Sequence, residues 1–125
     1  MSSFLELQRE HANAADFAII YLEEAHPTDG WLYESVTHLI PQHQTMDARC
    51  EAAARLAGEL SARGAPSTLP LVVDTLANTA SYTYGALPER LVILRHGTAQ
   101  FIGGKGPEDY SVDEARTALR RLLGV

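Results

Sequence analysis
Short apolar runs of strand length alternate along this chain with stretches of helical period, and that alternation limits the fold more than any other feature. Phe17–Leu22 (FAIIYL) and Leu69–Asp74 are short, apolar and partly β-branched, which reads as buried strand. Leu91–Arg95 and Thr98–Ile102 read as two antiparallel strands joined at His96-Gly97. Helical stretches lie between and around them. Ser3 and Glu6 fit a capping box, after which Phe4, Leu5, Ala12 and Ala15 suit one face up to about Ala15. Thr45 can cap a second helix that Gly64 ends, with Met46, Cys50, Ala53, Ala54, Ala57 and Leu60 recurring on its apolar face. Asn78–Tyr84 reads as a short helix ended by Gly85. Ser111 and Glu114 form another capping box, ahead of a face made by Ala115, Ala118, Leu119, Leu122 and Leu123. Glu23–Pro41 shows no clean period beyond a short turn around Tyr33–Leu39.

The expected order is therefore α-β-(loop)-α-β-α-β-β-α within one domain of 125 residues. Strands alternating with helices, then a hairpin and a helix, indicate an α/β sheet. This order resembles the thioredoxin-like one without its first central strand and the redox residue that follows that strand.

Charge and composition exclude several classes. The formal net charge is −6 and no basic run exists, so no nucleic-acid partner is expected. The longest apolar runs are far too short to span a membrane. SSFLELQRE after Met1 is polar and unlike a signal peptide, so a cytoplasmic chain is expected. The single cysteine, Cys50, excludes an internal disulfide and a CxxC pair; on an apolar helix face it reads as packing.

Glu23–Trp31, EEAHPTDGW, is the richest chemical stretch. It leaves the end of an expected strand, where open α/β sheets hold their ligands. Glu24 can pair with His26, fixing its tautomer and raising its basicity. Trp31 offers a flat aromatic face. The same segment also reads as a turn, because His26-Pro27 and Asp29-Gly30 are turn formers and Trp31 can plug a core. His43 precedes a helix start and reads as a local hydrogen-bond partner, whereas His11, His38 and His96 read as solvent-facing or loop-borne. Glu23, Glu24, His26 and Asp29 lack any standard metal-ligand spacing, so no metal is expected. Gly103–Pro107, GGKGP, departs from the phosphate-loop pattern and reads as a turn into the last helix. Pro88, just before a strand, reads as either a cis-proline beside a site or an ordinary trans-proline. Arg90 can anchor a carboxylate or phenolate, or pair with Asp74 or Glu89.

Four blocks, ADFAIIYLEEAHPTDGW, IPQHQTMDAR, LVVDTLANTASYTYGALPERLVI and GGKGPEDY, resemble the iodothyronine deiodinases in order and spacing, most closely the type 3 enzymes. The resemblance implies a thioredoxin-like fold and reductive removal of iodide from an aryl iodide. It implies a homodimer that binds no cofactor and draws on an external thiol reductant. By position it marks His26, His43 and Glu24 as catalytic, with a protonated histidine supplying a proton. Arg90 falls near the substrate's phenol or carboxylate end, and Trp31 and Pro88 are expected to help hold the substrate. The family's nucleophile is a selenocysteine or cysteine ahead of the first helix. None stands before Ser3-Phe4, so it is expected upstream of Met1, encoded by an in-frame TGA or cysteine codon. The chain alone is then expected to be inactive. Two alternatives stand beside this reading: a thiol or selenol peroxidase, and a non-catalytic thioredoxin-like binding domain.

Overall fold
The computed structural model describes residues 2–24 and 41–125. Its elements are α1 (Ser2–His11), β1 (Ile19–Tyr21), α2 (Met46–Ala62), β2 (Leu71–Val73), α3 (Thr79–Tyr84), β3 (Val92–Arg95), β4 (Thr98–Ile102) and α4 (Val112–Leu123). Over the described residues this is the thioredoxin-like α/β order that the sequence leads one to expect. The chain divides into two units, Met1–Phe17 with Glu89–Val125, and Ala18–Pro88.

In the first unit, α1 and α4 pack together and α4 packs on β3. Leu7, Val112, Ala115 and Leu119 form its buried centre, with Phe17, Ile93 and Phe101 packed around it. Ser111 Oγ accepts the Glu114 amide at 3.1 Å, starting α4 as its capping pattern requires. β3 and β4 are antiparallel, with Arg95 opposite Thr98. The two residues between them, His96 (φ 54°) and Gly97 (φ 75°), are both left-handed, as a twisted two-residue hairpin needs. The first helix differs from expectation. It is already running at Ser2, so Ser3 lies inside its first turn and is not its cap. It stops at His11, whose carbonyl accepts the amides of Ala14 and Ala15, and Ala12 is exposed beyond the end. His11 is also more covered than expected, with 11% of its side chain accessible.

GGKGP is glycine-rich because of close approach. Gly103 N donates to Leu91 O at 2.8 Å and Gly106 N to Glu89 O at 2.9 Å. A Cβ on Gly104 would overlap the Asp109 carbonyl oxygen. The loop is a packed return, consistent with the turn reading.

In the second unit β1 and β2 run parallel, with Ile20 beside Val72. Phe17–Leu22 is less buried than a core strand: Ile20 is 42% and Val72 49% exposed. Each strand has one strand partner among the described residues, and α2 packs on β2. Thr45 Oγ1 accepts the Ala48 amide at 3.0 Å and starts α2 where expected. Its buried face, however, is Arg49, Ala52, Ala53 and Leu60. Cys50 is exposed, so the packing role expected for it is not observed. The helix is rotated because Arg49 has acceptors in the interior and a thiol has none to match.

α3 also starts by an unexpected device. Asn78 holds the N-cap position in a left-handed conformation (φ 60°) and makes no side-chain cap. Asp74 instead reaches across, accepting Ala80 N through Oδ1 and Ser81 N through Oδ2, both at 2.9 Å. Thr75 Oγ1 takes the Thr79 amide at 3.2 Å. Gly85, with φ 55°, ends the helix as expected. The Leu87-Pro88 bond is cis, and so is Gly106-Pro107.

Candidate functional site
Ligands of parallel α/β sheets sit beyond the carboxyl ends of the strands, because side chains from several elements converge there. In this unit the buried polar residues converge at that end. His43, Arg49, Asp74 and Ser81 are all under 9% exposed.

Gln42 sets the first part of the site. Its Oε1 accepts the Glu24 amide at 3.1 Å and its Nε2 donates to Glu24 O at 3.0 Å. One side-chain amide thus occupies both backbone groups of Glu24, ties the end of β1 to the segment before α2, and brings the neighbouring His43 close. Glu24 Oε1 lies 3.8 Å from His43 Nε2 and accepts a hydrogen bond from the Tyr21 hydroxyl. The Tyr21 and His43 rings lie 5.6 Å apart, tilted by 46°.

Arg49 closes the other side. Its Nε donates to His43 Nδ1 at 3.0 Å. Its Nη1 donates to Thr75 O at 2.5 Å and Asn78 Oδ1 at 3.0 Å, with Asp74 O at 3.4 Å. Asn78 Nδ2 in turn donates to Glu23 Oε2 at 3.0 Å. Buried Arg49 therefore meets carbonyl and amide oxygens together with an imidazole nitrogen, which matches a fork of donors that accepts nothing.

The electrostatics follow from these contacts. Burial lowers the His43 pKa and the adjacent Arg49 cation lowers it further, while Glu24 pulls it up. His43 is thus held toward its neutral form. Burial raises the Tyr21 pKa, and the bond to Glu24 raises it more, so its hydroxyl stays a donor. Burial pushes the Asp74 carboxyl up, but amides from Ala80, Ser81 and Thr75 and the Arg49 charge outweigh it and hold the group below its usual range.

The expected site residues are distributed as follows. Glu24 and His43 come together. His26 and Trp31 lie outside the described residues, as do the expected Glu24–His26 pair and His38. Pro88 is exposed and follows a cis bond. Arg90 is half-buried just before β3. His96 is exposed at the hairpin turn, as expected.

Sequence reasoning missed Gln42, Arg49 and Tyr21. Arg49 carried a signal: it keeps helical step with Ala52, Ala53 and Leu60, and a cation on that stripe asks for buried acceptors.

A family model described as iodothyronine deiodinase matches residues 1–123. The thyroxine 5-deiodinase of Homo sapiens is 45% identical over 121 residues, covering 97% of this chain and 38% of that protein. That of Gallus gallus is 41% identical over 119 residues, covering 95% of this chain and 44% of that protein. That of Aquarana catesbeiana is 38% identical over 119 residues, with 95% and 42% covered. The chain thus spans about two fifths of the length of these curated relatives. A model match over nearly all its residues, over elements in thioredoxin-like order, places this chain in the iodothyronine deiodinase family.

Proposed function
We propose that the protein carrying this chain reductively removes iodide from thyroxine or a similar aryl iodide, with Glu24 and His43 as its acid–base pair. The observation that carries the reading is the Glu24–His43 contact at the carboxyl end of β1, in a chain of this family. The relatives' printed name, thyroxine 5-deiodinase, supports the substrate class.

In the proposed reaction a selenolate or thiolate attacks the iodine of the substrate. The carbon–iodine bond breaks, and its electron pair stays on the ring carbon. That carbon takes a proton through the acid–base pair. The resulting selenenyl or sulfenyl iodide is then reduced by two equivalents of an external thiol, which regenerates the selenolate or thiolate and releases iodide, a disulfide and two protons, one of which replaces the proton given to the ring carbon. Cys50 is exposed on α2 whereas His43 and Arg49 are buried. The proposal therefore assigns the nucleophile to a residue outside these 125 positions.

Within the chain, Tyr21 holds the Glu24 carboxylate by donating to it, and Gln42 holds the backbone of Glu24. His26 is proposed as a second proton donor that Glu24 orients, by its place in EEAHPTDGW. Trp31, Pro88 and Arg90 are proposed to hold substrate, Arg90 through its fixed charge against a carboxylate or phenolate.

Iodide release by the full-length protein, with thyroxine and a dithiol, tests this. Glu24→Ala and His43→Ala should each lower kcat by about 10²-fold or more, the usual worth of a positioned acid or base. Turnover of hydrogen peroxide without iodide release, or unchanged deiodination in both folded variants, would overturn it.

A further inference from the structure
We propose that Arg49 is a positioning residue that keeps His43 in its Nε2-protonated neutral tautomer. The inference rests on the acid–base reading of Glu24 and His43 above.

A guanidinium has only donors and does not lose its proton in proteins. Arg49 Nε sits 3.0 Å from His43 Nδ1 in hydrogen-bonding geometry, so Nδ1 must present its lone pair. The proton of the neutral ring is then on Nε2, the nitrogen 3.8 Å from Glu24 Oε1. Nε2 has no hydrogen-bond partner among the described residues. Among the described residues, the charged and titratable groups facing the ring are Glu24 and Tyr21 from the β1 side and Arg49 from α2.

Arg49 cannot swing away easily. Its Nη1 is held by Thr75 O and Asn78 Oδ1 at the end of β2 and the start of α3. The donor at Nδ1 is thereby tied to the fold, and α2 acts on the reaction through the ring. Protonating Nδ1 would break the Arg49 bond and place two cations side by side. A lysine could keep the charge but not the planar fork that serves a ring nitrogen and a carbonyl at once.

The test uses the full-length protein labelled with nitrogen-15 at arginine and histidine. His43, assigned by its loss in His43→Ala, should show an unprotonated Nδ1 and a scalar coupling to Arg49 Nε across the hydrogen bond. An Nδ1-protonated ring overturns the proposal without any variant. In Arg49→Lys the coupling disappears, the Nε2-protonated share falls, and kcat should drop about 10²-fold with KM little changed. On a His43→Ala background the same substitution should cost almost nothing more, because residues that act as a unit are not additive. An equal loss on both backgrounds makes Arg49 merely structural and overturns the positioning role. If His43→Ala alone leaves deiodination unchanged, the acid–base reading fails, and the role of Arg49 in turnover fails with it. The tautomer signal distinguishes that failure from an absent Arg49–His43 bond.

Discussion

Asp74 offers the sharpest test of how this site is built. Its carboxylate accepts three backbone amides: Thr75 at 2.8 Å and Ala80 at 2.9 Å through Oδ1, and Ser81 at 2.9 Å through Oδ2. These bonds begin α3 and fix the backbone whose carbonyls receive Arg49. In Asp74→Ala the donors lose their acceptor, but not equally. Thr75 is exposed and can return to water, Ala80 is half-covered, and Ser81 is 3% exposed. Only the Ser81 amide is stranded outright, at about 1–3 kcal/mol, while each bond to a charged acceptor contributes about 1.5–3 kcal/mol net. A full sum over three bonds overstates the loss, because the carboxylate's own burial cost of several kcal/mol is relieved. The expected destabilisation is about 2–4 kcal/mol. Asp74→Asn keeps Oδ1 but turns an NH2 toward the Ser81 amide, so about 1–3 kcal/mol is expected.

Urea unfolding of the chain and its two variants, followed by circular dichroism, measures both values. The acid limb supplies a second reading. The Asp74 carboxyl is held below its usual value of 3.8, so its stabilisation is complete above that value. It is lost as pH falls through the lower folded value, where the native state must take up a proton. The part of the acid sensitivity due to this group should vanish in Asp74→Asn. A loss under about 0.5 kcal/mol in Asp74→Ala, the range of ordinary surface changes, would refute the argument that this carboxylate caps α3.

Three further outcomes follow from other contacts. His43 should titrate below 6.5 by NMR, and Glu24→Gln should move it lower still by removing the opposing carboxylate. Its contribution to stability is complete above pH 6.5 and declines as pH falls toward the folded value, where the buried ring must charge. Gly104→Ala should cost about 1–3 kcal/mol by thermal unfolding, because its Cβ meets the Asp109 carbonyl. Gly106→Ala should cost less, because the nearest atoms belong to the movable Glu89 side chain; the reverse order would contradict the packing of this loop. Cys50→Ser should alter stability by less than about 0.5 kcal/mol and leave turnover unchanged, since the thiol is exposed and plays no part in the site.

Much of the framework was legible because its causes are local. Thr45 and Ser111 cap helices with their own hydroxyls, Gly85 ends one, and His96-Gly97 turns a hairpin, all within four residues of the element concerned. The start of α1 was misread for the same reason in reverse. A serine three positions before a glutamate makes a capping box only if the helix begins there, and this helix is already under way.

The sequence by itself therefore determined the order of elements and most of their ends. The tertiary structure decided what the site residues touch. Glu24 meets His43 because Gln42, eighteen positions away, fills its backbone hydrogen bonds. The inward face of α2 depends on oxygens up to twenty-nine positions from Arg49. Periodicity ranks Cys50 above Arg49 for burial, since it weighs only the side chain's own affinity for water. A buried cation is stable where acceptors converge on it, and that convergence exists only once β1, β2 and the start of α3 are in place.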